Sequence, residues 1–361
     1  MKTQIENNNL IYDVVIIGGG PSGSTLARFL DNKYKVLILD KKPKKISDNR
    51  EKCCGGLLAP EAQKMLAKLN LGVPKDVLEG PQIFSVKTLD FDNNLKRHYQ
   101  RYYININRAK FDRWLLSLVG DNVKIMYDTI YQKHKYNNEV IDISAICNNK
   151  SINIKGKILV GADGAISKVR KNTFDTKNPT KYIAIQKWYE TEDKMPYYIS
   201  VFDKQITDFY SWVIKKDNKL IIGGAIKEQD NANEKLDILI NKLIANGYDI
   251  GKLVKKEGTF INRTRNLNQI SLVKDNVALV GEAASLISPS SAEGISYGLK
   301  SGYYLAKAIN SNIQFKKQYL KSIRKIKFNI FLKNLKIPFI YNNLLRKIIM
   351  KLKVLSLKIN T

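Results

Sequence analysis

The sequence contains few of the residues that build disulfide-bonded or metal-bound scaffolds. Its 361 residues include three cysteines and two histidines. Cys53 and Cys54 are adjacent and Cys147 stands alone, which is not the spaced pairing of a disulfide framework. His98 and His134 are far apart and have no partner at a metal-ligand spacing. We therefore expect a protein of a reducing compartment, on the cytoplasmic side of the membrane, with no metal site.

Long apolar runs are also absent. No run approaches the roughly 18 residues that cross a bilayer, and the polar start MKTQIENNNL lacks the hydrophobic region of a signal peptide. We expect a protein that neither spans a membrane nor is exported. The 21 glycines and 9 prolines are too few for a fibrous or low-complexity chain. At roughly 100 to 200 residues per domain, the length predicts two or three folded units.

Acidic residues are missing from the C-terminal end. The chain has 61 Lys and Arg against 33 Asp and Glu, a net charge of +28, and residues 311–361 contain thirteen basic residues and no acidic one. Apolar residues alternate with the basic ones at mostly helical spacings there, namely Phe315, Ile323, Ile326, Ile330 and Leu332. This pattern is typical of a helix on the anionic inner face of a membrane, but a helix packed on the protein body with solvated lysines fits equally well. Nucleic-acid binding has no reader motif to support it.

The segment IYDVVIIGGGPSGSTLARFLDN predicts a buried strand, a glycine turn and a helix. In the turn, Gly18 allows a sharp bend, Gly20 lets a pyrophosphate approach, and Gly23 permits close packing. The N-terminus of the helix then faces the phosphates. A second strand, KVLILD, ends in Asp40, which would accept hydrogen bonds from an adenosine ribose. This start predicts a dinucleotide-binding domain and leaves NAD and FAD open.

Two later segments resemble signatures of the aromatic-hydroxylase superfamily of flavoproteins. LVGADGAISKVR and DNVALVGEAASLISPSSAEGISYGLKSG are similar to its second and third signatures, and all three occur in the family order. The resemblance implies FAD, with Asp163 near the flavin and pyrophosphate, Glu282 in place of the usual Asp at the ribityl chain, and Arg108 in contact with the cofactor. The residues predicted to hold FAD are Gly18, Gly20, Pro21, Ser22, Gly23, Asp40, Lys41, Arg108, Asp163, Gly164, Gly281, Glu282, Gly294 and Ile295.

A third segment, YSWVIKKDNKLIIGGA, resembles the Tyr-x-Trp-x-Phe-Pro and glycine pattern of geranylgeranyl reductases, which belong to that superfamily. The matching residues, which the resemblance assigns to binding an isoprenoid chain, are Tyr210, Trp212, Gly223 and Gly224. Ile214 and Lys215 replace the Phe and Pro. Because Tyr210 and Trp212 alternate along a predicted strand, they share one face, which suits the wall of an apolar tunnel or ordinary core packing.

The segment KCCGGLLAPEAQ resembles the cysteine–glycine loop near the flavin in the same family, with Cys54 at the family cysteine. Cys54 is therefore the candidate catalytic residue, as an acid or part of a gate at the flavin face. A packing role in the loop is as well supported. An ordinary thiol, with a pKa near 8.5, is a poor acid for protonating an isolated alkene.

The pattern as a whole predicts an α/β fold with a Rossmann-like FAD-binding domain, an inserted mixed or antiparallel β-sheet domain and a helical C-terminal region. Residues 81–106 and 181–226 are strand-rich, residues 108–118 are helical, and helices follow Gly294. The FAD-binding domain is predicted over 1–80, 101–175 and 270–310, the substrate-binding sheet over 81–100 and 176–269, and the basic helical region over 311–361.

The resemblance implies an FAD-dependent oxidoreductase that reduces carbon–carbon double bonds of an isoprenoid or prenyl lipid. Ser285 stands where many hydroxylases carry His, and the Trp-x-Trp-x-Ile-Pro signature of flavin halogenases is absent. Two alternatives stay open, an NAD(P)H-dependent flavin monooxygenase and a non-catalytic flavin- or lipid-binding protein. The electron donor, NAD(P)H or a reduced carrier protein, is not indicated.

Overall fold

The N-terminal segment starts a parallel sheet. The computed structural model describes residues 10–46, 51–137, 139–311, 314–353 and 356–357. Strand β1 (Ile11–Ile17) leads through the glycine turn into helix α1 (Pro21–Phe29), and β2 (Val36–Leu39) lies parallel to β1. Both strands are nearly continuous apolar runs, because helices and loops cover the two faces of such a sheet. The predicted strand–turn–helix–strand start is confirmed.

The first sheet has eight strands among the described residues. Its other members are β6 (Val123–Met126), β7 (Thr129–Asn137), β8 (Val140–Cys147), β9 (Lys150–Gly161), β15 (Val273–Lys274) and β16 (Val277–Leu279). Its parallel part has the order β16, β9, β1, β2, β6, with β15 antiparallel at the edge. β7 and β8 form an antiparallel meander on the first half of β9. This meander was not predicted.

The second sheet is mixed, as predicted. Its strands are β3 (Leu57–Leu58), β4 (Ile83–Asp90), β5 (Leu95–Asn105), β10 (Thr180–Glu190), β11 (Tyr198–Phe202), β12 (Ser211–Lys216), β13 (Lys219–Lys227), β14 (Leu253–Arg263) and β17 (Ser356–Leu357). The order is β14, β10, β13, β12, β11, β4, β5, β17, with β3 beside β5. Among the described strands of this second sheet, only β4 and β11 pair in parallel. β5 continues five residues past the predicted boundary at residue 100.

Helices cover the first sheet and link it to the second. Those after α1 are α2 (Pro60–Lys68), α3 (Arg108–Ser117), α4 (Lys168–Thr173), α5 (Ala232–Ala245), α6 (Ile295–Asn310), α7 (Phe315–Leu335), α8 (Ile337–Tyr341) and α9 (Asn343–Lys351). α6 packs closely on α1, since a Cβ atom at Gly302 would lie 2.4 Å from the Ser22 carbonyl oxygen. The C-terminal part of the chain is thereby placed beside the first glycine turn.

The C-terminal region is packed on the body and is not helical throughout. Tyr319, Ile323 and Ile330 of α7 are buried in the core of the first sheet, and the Tyr319 hydroxyl donates to the Leu279 carbonyl at 2.8 Å. The helical prediction is confirmed for α7 to α9, whereas Ser356–Leu357 forms β17 against β5. Lys358 lies outside the described residues. Within those residues, no helix is long and apolar enough to cross a membrane.

Candidate functional site

The glycine turn between β1 and α1 leaves a clear approach to the helix. Gly18 has φ +106°, and a Cβ atom there would lie 2.5 Å from the Ala162 carbonyl oxygen. A Cβ atom at Gly23 would lie 2.0 Å from the Gly18 carbonyl oxygen, whereas one at Gly20 would have no atom within 4 Å. No side chain caps α1, which begins at Pro21 beside Ser22. The start of α1 therefore has no side-chain cap, and the open space at Gly20 beside it suits a pyrophosphate.

Asp40 directly follows β2 and is 3% exposed. Its Oδ1 accepts a hydrogen bond from the Lys42 N–H at 3.0 Å, while its buried Oδ2 has no hydrogen-bond partner among the described residues. A Cβ atom at Gly19 would lie 2.6 Å from Oδ2, so this oxygen faces the glycine turn. A free acceptor at this point fits a ribose hydroxyl. Lys41 is exposed beside it.

A buried charge cluster holds Arg108 at the start of α3. Its Nε donates to Asp112 Oδ1 at 2.8 Å, and Lys42 Nζ donates to Asp112 Oδ2 at 2.8 Å. Burial raises the pKa of Asp112, but Arg108 and Lys42 lower it more, so the carboxylate stays ionised. Arg108 also interacts with the Cys54 thiol. The guanidinium is therefore fixed between the predicted FAD site and the cysteine loop.

The acids of the second and third signatures have local partners. Asp163 Oδ1 accepts from the Ser167 hydroxyl at 2.5 Å and Oδ2 accepts from the Val169 N–H at 3.2 Å, which ties the carboxylate to the start of α4. Burial raises the pKa of Asp163. Beside it, Gly164 has φ +80° and no atom within 4 Å of a Cβ position. The open backbone here, more than the acid, is the part of the turn available to a ligand.

Glu282 lies close to an unexpected cation. Its Oε1 accepts from the Asn262 N–H at 2.9 Å, and Lys52 Nζ lies 3.8 Å from Oε2. The preceding Gly281 has φ +59° and donates its N–H to the Ser301 hydroxyl of α6. The longer side chain, compared with Asp, reaches Asn262 on β14. It joins the two sheets at this point.

The loop before α6 is held by tyrosines from two directions. The Tyr210 hydroxyl donates to the Ser291 carbonyl and the Tyr341 hydroxyl donates to the Ser290 carbonyl, both at 2.8 Å. Gly294 then precedes α6, which begins at Ile295 and has no side-chain cap. The N–H groups at this helix start are available to a negatively charged ring edge.

The predicted substrate residues form one aromatic face. The rings of Tyr210 and Trp212 lie 5.8 Å apart between centroids. Gly223 lies opposite Trp212 on β13, and a Cβ atom there would come within 2.6 Å of the indole. At Gly224 a Cβ atom would lie 2.8 Å from the Ser211 hydroxyl oxygen. The two glycines therefore let β12 side chains lie across β13.

The cysteine loop lies against the same sheet. The Gly56 N–H donates to the Cys54 sulfur at 3.4 Å, and a Cβ atom at Gly55 would lie 2.5 Å from Ile214 Cδ1. Lys216, which sequence reasoning missed, donates from Nζ to the Gly56 and Ile106 carbonyl oxygens at 3.1 and 2.6 Å. Ile214 and Lys216 thus hold the loop that carries Cys54.

The two cysteines of the loop have different surroundings. Cys53 is buried, its sulfur lies 3.7 Å from the Ala184 carbonyl oxygen, and burial raises the pKa of its thiol. Cys54 is half-buried and interacts with Arg108. Packing therefore explains Cys53, while Cys54 lies where the predicted cofactor and substrate regions meet.

Sequence reasoning also missed a buried acid, Glu293, just before α6. Both of its carboxylate oxygens are buried without a hydrogen-bond partner of normal length in the described part of the chain, and Lys333 Nζ lies 3.9 Å away. Burial raises the pKa of Glu293, Lys333 and Arg101 oppose this, and Glu61 adds to it. The cluster joins four distant segments, so no local motif could have revealed it.

Comparison with known proteins decides the family. The FAD binding domain family matches residues 11–322. The chain belongs to this family. It is 40% identical over 341 residues to Protein CbrA of Escherichia coli O9:H4 (strain HS), covering 94% of this chain and 93% of that protein. Family membership confirms the predicted flavoprotein resemblance and shows an FAD-dependent oxidoreductase.

Two solved structures share the fold. One is a geranylgeranyl bacteriochlorophyll reductase-like protein from Thermoplasma acidophilum, with TM-score 0.79 and 20% identity, covering 93% of this chain and 90% of that one. The other is the flavin-dependent brominase Bmp2, with TM-score 0.72 and 16% identity, covering 94% and 93%. The predicted fold class is confirmed. At these identities the likeness concerns fold and does not select a reaction.

The site of this FAD-binding family member fits the cofactor. The free oxygen of Asp40 suits the ribose, the open space at Gly20 suits the pyrophosphate, and the start of α6 suits the flavin ring. Bound FAD would supply two-electron redox chemistry there. The roles of the individual residues stay predictions.

Proposed function

We propose that this protein is an FAD-dependent reductase that saturates carbon–carbon double bonds of an isoprenoid or prenyl lipid. The observation that carries the proposal is the apolar wall formed by Tyr210 and Trp212, which packs against segments predicted to bind the flavin. A single cluster joins Tyr210 and Trp212 of the second sheet to Ala292 before α6 and to Leu57 beyond the cysteine loop. Such a surface suits a long apolar chain more than a small polar acid.

The polar atoms of this wall are already paired. The Tyr210 hydroxyl donates to Ser291, and Trp212 Nε1 donates to Gln186 Oε1 at 3.4 Å. Gln186 in turn donates to Glu257 at 2.6 Å. Burial raises the pKa of Tyr210, so the phenol stays neutral. The wall therefore offers ring faces, and few free hydrogen-bonding groups, to a ligand.

Saturating a double bond adds a hydride to one carbon and a proton to the other. Bound FAD in its reduced form would supply the hydride, and NAD(P)H or a reduced carrier protein would restore its two electrons. Cys54 is our candidate for the catalytic residue beside the double bond, as the acid that gives the proton or as part of a gate at the flavin face. The Cys54 thiol interacts with Arg108, which is predicted to contact the cofactor. It also contributes to the raised pKa of Tyr210 in the apolar wall.

The test uses purified protein that holds FAD, reduced by dithionite without oxygen and mixed with geranylgeraniol or a polyprenyl phosphate. We expect mass spectrometry to show a gain of two hydrogens per reduced double bond, and Cys54→Ala to slow this gain. A chain without FAD is the control. Unchanged lipids together with oxygen-dependent hydroxylation of an aromatic acid would replace the proposal with a monooxygenase. Lipid binding without turnover would favour a non-catalytic protein.

A further inference from the structure

We propose that the outer faces of α7 and α9 dock the protein on an anionic lipid bilayer. Both helices expose apolar side chains within a segment that has basic residues and no acidic one. The docking does not rest on the proposed reaction, because it follows from the chemistry of this surface alone.

α7 has apolar residues on two opposite faces. Its buried inner face consists of Tyr319, Ile323, Ile326 and Ile330. Its exposed outer face consists of Phe328, Phe331, Leu332 and Leu335. At about 100° per residue, these positions point away from the inner ones. Three of the five apolar residues that suggested a membrane-facing helix, Ile323, Ile326 and Ile330, are therefore packed on the body. Of those five, Leu332 belongs to the exposed outer face.

The outer aromatic residues of α7 are strongly exposed. Phe328 is 61% exposed and Leu335 is 54% exposed. The rings of Phe328 and Phe331 stack with their centroids 6.4 Å apart. Because the inner face already anchors α7, the helix cannot bury both faces against its own body. An exposed apolar strip of this kind marks an interaction surface.

α9 repeats the arrangement. Leu344, Ile348 and Leu352 follow one another at intervals of four residues and are exposed, Leu344 by 66% and Leu352 by 68%. On the inner side, Arg346 binds Asp90 with two hydrogen bonds of 2.8 and 3.0 Å. This buried ion pair fixes α9 with its apolar residues outward.

The outer surface is also positive. The exposed basic residues of the described range 314–353 are Lys316, Lys317, Lys321, Arg324, Lys325, Lys336, Lys351 and Lys353. In the part of the chain that the structure describes, none of them forms an ion pair. By contrast, Lys333 and Arg346 point inward and meet Glu293 and Asp90. The outward charges are therefore available to an anionic partner.

An anionic bilayer satisfies both properties at once. Its phosphate layer meets the lysines, and its acyl chains take up the phenylalanine and leucine side chains. Nucleic acid offers phosphates but no partner for exposed leucines, since bases stack on aromatic rings. A second copy of this chain would bring like charges together. Of these three partners, an anionic bilayer is therefore the one that can contact both the basic and the apolar side chains.

α7 and the adjoining α8 touch the predicted functional site from their inner sides. Lys333 lies next to Glu293, and the Tyr341 hydroxyl binds the Ser290 carbonyl. A bilayer held against the outer face of α7 would thus lie behind the loop that precedes α6. If the substrate is a lipid, as proposed above, it would meet this loop without crossing water.

The test is flotation of the FAD-containing full chain with two kinds of vesicle, phosphatidylcholine alone and equal parts phosphatidylcholine and phosphatidylglycerol. We expect binding to the second kind only, weakened by salt because the Debye length falls from about 10 Å at 0.1 M to about 3 Å at 1 M. The variant Phe328→Gln with Leu335→Gln should lower binding more than about tenfold. The variant Lys321→Glu, Arg324→Glu, Lys325→Glu should lower it at least as much.

Matched controls distinguish binding through this surface from non-specific binding to vesicles. Phe84→Gln removes a phenylalanine of 62% exposure on β4, and Lys64→Glu, Lys150→Glu, Lys171→Glu makes the same charge change elsewhere. Both should bind as the wild type does, and flavin colour reports folding for every variant. Equal loss in variants and controls, or no flotation of the wild type, would overturn the proposal. So would a wild-type dimer that Phe328→Gln dissociates, or binding to DNA but not to vesicles.

Failure of docking and failure of the proposed reaction are separable. Lipid reduction can be measured with substrate dispersed in detergent, where docking is not needed. A protein that reduces lipid in detergent but ignores vesicles refutes only the docking surface. One that floats with anionic vesicles but leaves prenyl lipids unchanged refutes only the reductase.

Discussion

The single residues of the first glycine turn have different reasons to be glycine. Gly18 and Gly23 are required by the protein, because added Cβ atoms would overlap backbone oxygens. Gly20 has an ordinary backbone conformation, with φ −74°, and empty space beside it. Only Gly18 and Gly23 are constrained by neighbouring protein atoms. We therefore expect that Gly20 is needed to leave room for a ligand at the turn.

Replacing Gly20 should therefore separate folding from cofactor binding. We expect Gly20→Val to give a colourless protein whose thermal unfolding matches that of the wild-type apoprotein, because the side chain enters the predicted pyrophosphate path and its Cβ atom has no protein atom within 4 Å. Gly23→Ala, in contrast, should destabilise the apoprotein by about 1–3 kcal/mol through overpacking. Visible absorbance and calorimetry check both. A yellow Gly20→Val protein would show that the pyrophosphate does not pass this residue.

Glu293 should make stability depend on pH. Burial raises its pKa above the ordinary value of 4.5, so the folded state holds the proton more tightly than the unfolded state. Its contribution is fully present below pH 4.5 and is lost as pH rises through the folded pKa. We expect Glu293→Gln to remove this loss, so that the variant gains stability over the wild type as pH rises.

The measurement is thermal unfolding of the apoprotein from pH 5 to pH 9, compared between wild type and variant. Exposed Glu228→Gln is the matched control and should leave the pH profile unchanged. Lys333, Arg101 and Glu61 also face the carboxylate, so the difference between proteins, not the absolute slope, isolates Glu293. Parallel profiles would mean that Glu293 is ionised in the folded state.

At the scale of elements, the packing of β12 against β13 depends on the Trp212 side chain, which lies across both strands. The indole of Trp212 covers Gly223, so the strand pair and the aromatic wall are one structure. A similar glycine on β14, Gly258, has its nearest atom 3.6 Å from a Cβ position, which is ordinary contact. The same substitution should therefore have different effects at the two places.

We expect Gly223→Ala to displace the Trp212 side chain and to lower stability by about 1–3 kcal/mol. The added Cβ atom would also lie 2.7 Å from the Ile185 carbonyl oxygen, which belongs to the backbone and cannot turn away. Near-ultraviolet circular dichroism and denaturant unfolding check this. Gly258→Ala should change neither. If both variants resemble the wild type, Trp212 is not locked over Gly223.

Sequence patterns predicted the elements whose signal is local. The glycine turn, β1, β2 and the start of α6 each carry their own motif, and all are found. The meander of β7 and β8 lacks such a motif, and β17 exists only because β5 offers an open edge. In the predicted site, Asp40 was inferred from its place at the end of the second strand and Trp212 from the family resemblance, and both roles stay predictions. Glu293 was missed, because its neighbours meet only in the folded chain.

At the scale of the whole molecule, the C-terminal region is part of the core. Removing residues 312–361 exposes the surfaces that Tyr319, Ile323, Ile326 and Ile330 cover. At about 1.5–3 kcal/mol for each buried side chain, the loss is comparable with the whole stability of a typical domain, about 5–15 kcal/mol. Truncation is therefore a poor test of membrane docking.

We expect the chain truncated after Ser311 to lose FAD and to aggregate. The outer-face variant Phe328→Gln with Leu335→Gln should keep both colour and thermal stability, because those side chains are exposed. Size-exclusion chromatography with absorbance detection compares the two. A truncated protein that stays yellow and monomeric would mean that α7 contributes little to the core.

The pairing of β17 with β5 has a mechanical consequence. The chain leaves the first sheet through α6 and α7, crosses α8 and α9, and ends by hydrogen-bonding Ser356 and Leu357 to the edge of the second sheet. This segment is thus attached to the first sheet through α7 and to the second sheet through β17. The ion pair of Arg346 with Asp90 attaches it at a third point. A hinge that opened the two sheets would have to stretch this segment or detach it. A relative movement of the two sheets is therefore restrained by α7, α8, α9 and β17 together.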